Sequence, residues 1–529
     1  MFTEKSILRL WMAAFCCVTV ASCSVSEDNP ISDPELGGKS KSIVILYDND
    51  AHCQIDGYTH LAGLRDAILA ADTAYVGITS SGDFINGDVA GSISRGQYIT
   101  DIVRTVGYTA IAPGNHEFDF RTDRLFELIP QLKAPVVCSN LYKAGADRPV
   151  CHTYTIRNFG EKRVAFVGAT TPEAMESEAY SFYDKNGKQT YDLCTDKVFD
   201  LVQQSVDSAR NAGADYVVVL AHLGEATSTT GVDSHTLISK THGIDVLLDG
   251  HTHSVVAHDA VDNAQNQSTG VTQTGTGFKY IGKLVISPEG KISTELVPIT
   301  DVPYTNTHVT ATTDSVKTLM RRETDRVVGK CDFDLIMRDA SNVQVPRKGE
   351  SNLSDLVADA FRLRNNADIG LFNGGGIRNG VPAGTLTYGS TISIMPFYNL
   401  TCTIEATGEM IVNMLGKCIQ KYPEEDGNFA QVSGMKYTVH TVSHTVSDVM
   451  VLNRENGKYE PIVADKTYTI GALDYYTSGF YGTLKNAKLV EQTTDQICKT
   501  LADFIEYDLG GVVGDDYRQP QGRITFVED

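Results

Sequence analysis

The sequence predicts an α/β protein of more than one domain, and three observations carry that expectation. The chain has 529 residues, more than one hydrophobic core usually serves. Short apolar runs that end in polar clusters recur through its first half, with helical patterns between them. Near residue 300 the composition shifts, and a helical stretch leads into a second region that continues to the C-terminus.

The first thirty residues, "MFTEKSILRLWMAAFCCVTVASCSVSEDNP", place Lys5 and Arg9 before a short apolar segment, Leu10 to Ala21, that ends in small residues. This is the pattern of an export signal over residues 1–22, too short to span a bilayer comfortably. "VASC" resembles the bacterial lipobox, which makes Cys23 the residue expected to carry lipid, with ordinary signal cleavage nearby as the alternative. The polar, acidic stretch that follows reads as a disordered tether over residues 23–41. The expected location is therefore the bacterial cell envelope, lipid-anchored on the periplasmic face or the outer surface of the outer membrane. No later segment is long and apolar enough to span a membrane. The formal net charge of −21 argues against an extended basic surface for nucleic acid, so the expected partner is a small molecule. Of eleven cysteines, Cys16, Cys17 and Cys23 fall in the signal region, and the remaining eight show no metal-type spacing.

The runs "SIVILYDNDAH", "AYVGITSSGDF", "AIAPGNHEFD", "YVVVLAHLG" and "IDVLLDGHTHS" read as buried strands. Helical patterns lie between several of them, such as "LAGLRDAILAA" and "DKVFDLVQQSVDSARNAG", the second stopped by Gly213. The region 42–300 is therefore expected to form a layered α/β domain. In α/β sheets ligands gather beyond the carboxyl ends of the strands, where these polar clusters would lie.

A lone His at the end of a buried strand is more often a structural residue than a ligand. Here the histidines have company. Candidate donors are Asp50 and His52 in "DAH", Asp83 in "GD", Asn115 in "GNHE", His222 in "AHLG", and His251 and His253 in "GHTH". All are oxygen or imidazole donors, which suit divalent first-row metals, and Zn, Mn, Fe, Co and Mg are not distinguished by the pattern. The i, i+2 spacing in DAH and HTH would let two side chains point to one side of an extended backbone. Seven ligands with one bridging carboxylate supply four bonds to each of two ions; Asp83 and Asp50 are the candidates for the bridge. Asp48 and Asp249 are expected to orient the ligands. Cys53 is assigned packing. Two ions about 3.5–4 Å apart suit phosphate ester hydrolysis.

The ordered set DxH, GD, GNHE, AH, GHxH resembles the calcineurin-like metallophosphoesterases, with spacing similar to their 5'-nucleotidase branch. The resemblance implies a four-layered α/β/β/α first domain. It also implies one ion held by Asp50, His52, Asp83 and His253, and another by Asp83, Asn115, His222 and His251, with Asp83 bridging. His253 departs from many 5'-nucleotidases, which carry Gln or Asn there. By the same resemblance His116 donates to the phosphoryl transition state while Asp119 orients its ring.

Beyond a linker over 301–329 that includes the helical stretch "SVKTLMRRETDRVVG", the stretches "RKGESNLSDLVADAF", "LFNGGGIRNGVPAGTLTYGS" and "IMPFYNLTCTIEATGEMI" resemble the 5'-nucleotidase C-terminal, substrate-binding domain. That implies a smaller α/β domain over 330–529. It implies substrate contacts from Arg347, Asn373, Gly375, Arg378 and Phe397, the last stacking on a base. The family's Gly-Gly-Asp-Gly-aromatic loop is replaced by "YYTSGFYGTL", in which Phe480 or Tyr481 would supply the second aromatic face. The expected function is an exported two-metal phosphohydrolase removing phosphate from nucleotides. The same chemistry on nucleotide sugars or 2',3'-cyclic nucleotides is the alternative, and a non-catalytic surface nucleotide-binding protein is a further one.

Overall fold

The computed structural model describes residues 41–184, 187–225, 228, 230–397, 399–478, 484 and 487–529. The signal, the lipidation residue Cys23 and the tether, together with Phe480 and Tyr481, lie outside the described residues.

Two sheets make the centre of the first domain. Strands Ser42–Asp48, Ala74–Ser80 and Ala110–Ile111 run parallel, and Tyr280–Ile286 and Ile292–Pro298 complete a five-stranded sheet through antiparallel pairing. A six-stranded sheet has Lys162–Thr170, Tyr216–His222 and Val246–Leu248 parallel at its centre.

The alternation of side chains along these strands builds the layers, because successive residues of a strand point to opposite faces. Ile43, Ile45 and Tyr47 join Val218, Leu220, Val164 and Phe166 in a core between the two sheets. The intervening Val44 and Leu46 pack outward with Leu61 of helix Gly57–Ala70 and with Ile99 and Ile102 of helix Gln97–Val106. On the other sheet Val217, Val219 and Ala221 pack with Val198, Val202, Val206 and Ala209 of helix Val198–Asn211. Those four helical residues recur every three or four positions, the spacing of one helix face. The result is the expected α/β/β/α stack. Each fully buried Val, Leu, Ile or Phe in it contributes about 1.5–3 kcal/mol.

Helix Thr307–Thr324 is capped by Asn306, whose side chain accepts from the Val309 N–H at 2.9 Å. Its Val309 and Val316 bury in the core of the first domain. The second domain begins at once: Val327–Cys331 pairs with Gly384–Thr387 and Val512–Val513. Its main sheet sets Ile369–Asn373 between Ala430–Ser433 and Thr467–Leu473, with Leu400–Thr407 and Lys488–Gln496 beyond, and helix Asn352–Arg364 packs into the same core. Among the described residues, contacts tie the two domains together. Val89 and Ile93 of helix Val89–Ser94 pack against the second core, and Gln496 Nε2 donates to the Ser92 carbonyl at 3.1 Å.

All eight cysteines outside the signal region are free thiols, and Cys53 is buried in the first core. Among the described residues no helix is long and apolar enough to cross a membrane.

Candidate metal centre

Two of the strands stop short of their donors, whereas His222 is the last residue of strand Tyr216–His222. Ser42–Asp48 ends two residues before Asp50, and Val246–Leu248 ends three before His251. Asp50, His52, Asp83, His251 and His253 all have positive φ, between 44° and 84°. The expectation of an extended backbone through DAH and HTH is therefore corrected. The chain turns left-handed at both members of each pair, at a cost of the order of 1–3 kcal/mol per residue; in DAH the turn brings Asp50 and His52 into one group, whereas in HTH it sends His251 and His253 to different groups.

Neighbouring loops hold these turns. Asp50 N–H donates to Gly82 O and His52 N–H to Asp83 O, each at 2.9 Å, so the DAH loop continues the pairing of its strand onto the GD loop. Gly82 has φ +89°, and a Cβ there would overlap the backbone of Gly114. Glu117 is buried between the loops. Its carboxylate accepts N–H bonds from Asp83, Phe84, Ile85 and Gly114 at 2.6 to 3.2 Å. Asp48 accepts from Ser80 and Tyr108, and Asp249 from the Leu223 and Gly224 N–H groups. These two acids anchor the loops and make no hydrogen bond to the four candidate histidines.

All seven predicted donors are brought together, in two groups. In the first, His52 Nε2 lies 3.0 Å from His253 Nε2, and Asp50 Oδ1 is 3.3 Å from the latter and 3.8 Å from the former. In the second, Asn115 Oδ1 lies 3.2 Å from His222 Nε2 and 3.0 Å from His251 Nδ1, with Asp83 Oδ2 3.0 Å from His222 Nε2. Asp83 Oδ2 also stands 3.9 Å from His52 Nε2, and Asp50 Oδ1 3.9 Å from His222 Nε2, so both carboxylates face both groups.

The protonation pattern tests whether this set fits a cation. His52 Nδ1 donates to Asn86 O at 3.0 Å, His222 Nδ1 to Ser81 O at 2.6 Å, and His251 Nε2 to Glu173 Oε2 at 2.9 Å. A neutral imidazole has one N–H, so the nitrogen that each ring turns inward carries a lone pair. Lone pairs of nitrogen then face those of Asn115, Asp50 and Asp83 at about 3 Å, an arrangement that needs positive charge among them. At His222 a proton supplies it. Burial opposes a charge on His222, but Asp83 and Asp50 outweigh it and push the ring up to about 10. The donors fit divalent cations.

His116 stands beside the centre. Its Nδ1 is 2.8 Å from Asp119 Oδ2, and its backbone N–H donates to Asp83 Oδ1 at 2.9 Å. Asn86 donates its amide to the same Asp119 oxygen while its carbonyl holds His52, so one residue sets both rings. Glu178 closes the other side, 3.4 Å from the Asn115 amide nitrogen. Sequence reasoning did not single out Asn86, Glu117, Glu173 or Glu178. Glu117 lies inside the quoted GNHE stretch and was open to discovery there. The other three carry no local signal.

In the second domain Asn373 Nδ2 and the Gly375 N–H both donate to Gly427 O, at 3.1 and 2.7 Å. A Cβ on Gly374 would overlap the Pro346 carbonyl, so the glycine turn presses against the Arg347 segment. Asn373 Oδ1 and Arg347 Nε are buried without a partner among the described residues. The Arg378 guanidinium lies 5.8 Å from the centre of the Phe397 ring, which is 40% exposed and free to stack. Arg347, Asn373, Arg378 and Phe397 share no hydrogen bond or ion pair with the seven donors.

The calcineurin-like phosphoesterase family matches residues 45–255, and the 5'-nucleotidase C-terminal domain matches residues 327–487. The chain belongs to the 5'-nucleotidase family. As a family member it is a metal-dependent phosphoric ester hydrolase. The expected family and fold class are borne out. The trifunctional nucleotide phosphoesterase YfkN of Bacillus subtilis is 24% identical over 493 residues, covering 86% of this chain and 33% of that protein. The chain thus spans a third of YfkN. The 5'-nucleotidase of Diplobatis ommata is 24% identical over 550 residues, covering 92% of this chain and 90% of the relative. Two solved structures share the 5'-nucleotidase fold. The putative Staphylococcus aureus 5'-nucleotidase has a TM-score of 0.66 at 18% identity, covering 92% of this chain and all of that one. The Thermus thermophilus 5'-nucleotidase precursor has a TM-score of 0.58 at 22% identity, with the same coverage.

Proposed function

We propose that this 5'-nucleotidase family member is an exported, lipid-anchored phosphohydrolase that removes phosphate from nucleotides with two divalent ions. The observation that carries the reading is the division of the donors into two convergent groups with Asp83 and Asp50 facing both. One ion would be held by Asp50, His52, Asp83 and His253, the other by Asp83, Asn115, His222 and His251, with Asp83 bridging. When bound, such ions polarise phosphoryl oxygens and acidify an attacking water.

The chain's own residues do the rest. Asp119 holds His116 through Nδ1, so the opposite ring nitrogen is free to donate to a phosphoryl oxygen as charge builds there. The buried, unpartnered Arg347 Nε and Asn373 Oδ1 support a role in gripping the substrate, since a ligand would supply the missing hydrogen bonds. Phe397, with Arg378 against it, would stack on the base. The two clusters sit on different domains, so a nucleotide would have to bridge them.

The stretch "YYTSGFYGTL" lacks the family's acidic ribose-contacting loop. That departure favours, as a second reading, the same chemistry on nucleotide sugars or 2',3'-cyclic nucleotides. The test is a screen of purified protein against nucleoside monophosphates, nucleotide sugars, cyclic nucleotides and simple phosphate esters, each with Zn, Mn, Fe, Co and Mg. Turnover of a nucleoside monophosphate above the other classes supports the first reading, and a preference for either alternative class supports the second. Tight nucleotide binding without turnover under any metal would make the protein a binding module.

A further inference from the structure

Of the four histidines in the centre, His52 and His222 are held by backbone carbonyls, those of Asn86 and Ser81. His251 is held by a side chain instead, Glu173 Oε2 at 2.9 Å from its Nε2. Glu173 belongs to the short segment after strand Lys162–Thr170, which contributes none of the seven donors. The same segment ends in Glu178, which is 4% exposed and whose Oε1 accepts from Asn115 Nδ2 at a longer 3.4 Å. His251 and Asn115 are both donors of the second group, and the bonds that Glu173 and Glu178 make to the donor set go to these two residues.

Resting on the two-ion reading above, we propose that Glu173 and Glu178 are positioning residues dedicated to one of the two ions. Each resolves a two-fold ambiguity. An imidazole can carry its proton on either nitrogen, and a carboxylate at Nε2 keeps the proton there and leaves the Nδ1 lone pair facing inward. An amide can turn either end inward, and an acceptor at Nδ2 leaves Oδ1 facing the ion. Without the two acids, His251 offers its lone pair in the right place only part of the time, and Asn115 can present an N–H where a donor oxygen is required. A ligand that must first be reoriented binds more weakly in proportion to the fraction correctly poised. One ion therefore depends on Glu173 and Glu178, and the other does not.

The test is calorimetric titration of the metal-free full chain with Mn²⁺ or Zn²⁺, read as two binding steps. Glu173→Ala and Glu178→Leu are expected to weaken one step by about 10–100-fold and leave the other unchanged. Glu173→Gln and Glu178→Gln, which keep a carbonyl acceptor in place, should recover most of that loss. Circular dichroism melts of the metal-free variants, expected to match the wild type, separate a ligand effect from a folding defect. Unchanged affinities in Ala and Leu variants of a wild type that binds two ions would overturn the inference alone. Equal weakening of both steps, or Gln variants as weak as Ala and Leu, would also overturn it. A wild type that takes up fewer than two ions would overturn the two-ion reading beneath it.

Discussion

His52 and His253 face each other through their Nε2 atoms across 3.0 Å, although 201 residues separate them in the chain. The His52 ring donates its only neutral-state N–H away from the pair, to Asn86 O. Such a meeting is repulsive unless a proton or a cation stands between the two nitrogens.

Metal content after gentle purification or reconstitution should approach two ions per chain. Asp83→Asn should disturb both, because its Oδ2 faces His52 and His222 together. Mass-spectrometric metal analysis checks this, and retention of two ions at wild-type affinity by that variant would remove Asp83 from the bridge.

His116→Ala removes a group that stands beside the donors but belongs to neither group. Metal content should hold while kcat falls by about two orders of magnitude or more, as when one transition-state donor is lost. If metal leaves along with activity, His116 is a ligand or a support for the loops.

Phe397→Ala should raise KM for nucleotides far more than for para-nitrophenyl phosphate, which can reach the metals without a base clamp. Steady-state kinetics on both substrates decide it, and equal effects would exclude stacking. Phe480→Ala and Tyr481→Ala, assayed in parallel, would show which of them completes the clamp, and indifference of both would mean that the base is held from one side.

A stability prediction comes from the second domain. Asp355 is buried 3.4 Å from the Arg523 guanidinium. Burial pushes its carboxyl up to about 8, with Glu350 adding to the rise and Arg523 opposing it. A carboxyl that keeps its proton when folded but loses it near pH 4 when unfolded stabilises the fold most in acid. That contribution is lost as pH rises from about 4 through about 8. Asp355→Asn has no such step, so the Tm of the variant minus that of the wild type should grow between pH 5 and pH 8.5. Each kcal/mol is worth roughly 2–4 °C in a domain of this size. A difference that stays flat across this range in thermal melts would show that Asp355 titrates normally.

Much of this protein was legible in its local patterns. Strands such as Tyr216–His222 are apolar on both faces, which already says that the sheet is covered on both sides, and Val198, Val202, Val206 and Ala209 mark the covering helix face. The seven donors could be named because each follows an apolar run, and the end of a strand is where a sheet delivers its side chains. The structure brings them together in two groups, but not along the extended backbone that the DAH and HTH spacing suggested. Asp50, His52, His251 and His253 reach their two groups through left-handed turns, and that of DAH is held by loops distant in sequence, the Asp50 N–H donating to Gly82 O.

Only the tertiary structure decided which residues hold the donors. Glu173 meets His251, 78 residues later, and Glu178 meets Asn115, 63 residues earlier. In the string "TTPEAMESE" Glu173 and Glu178 look like ordinary surface acids, no different from Glu176 between them. A residue type and a strand end announce a ligand locally, whereas an orienting carboxylate is defined by its partner, and that partner is chosen by the packing of whole sheets and loops.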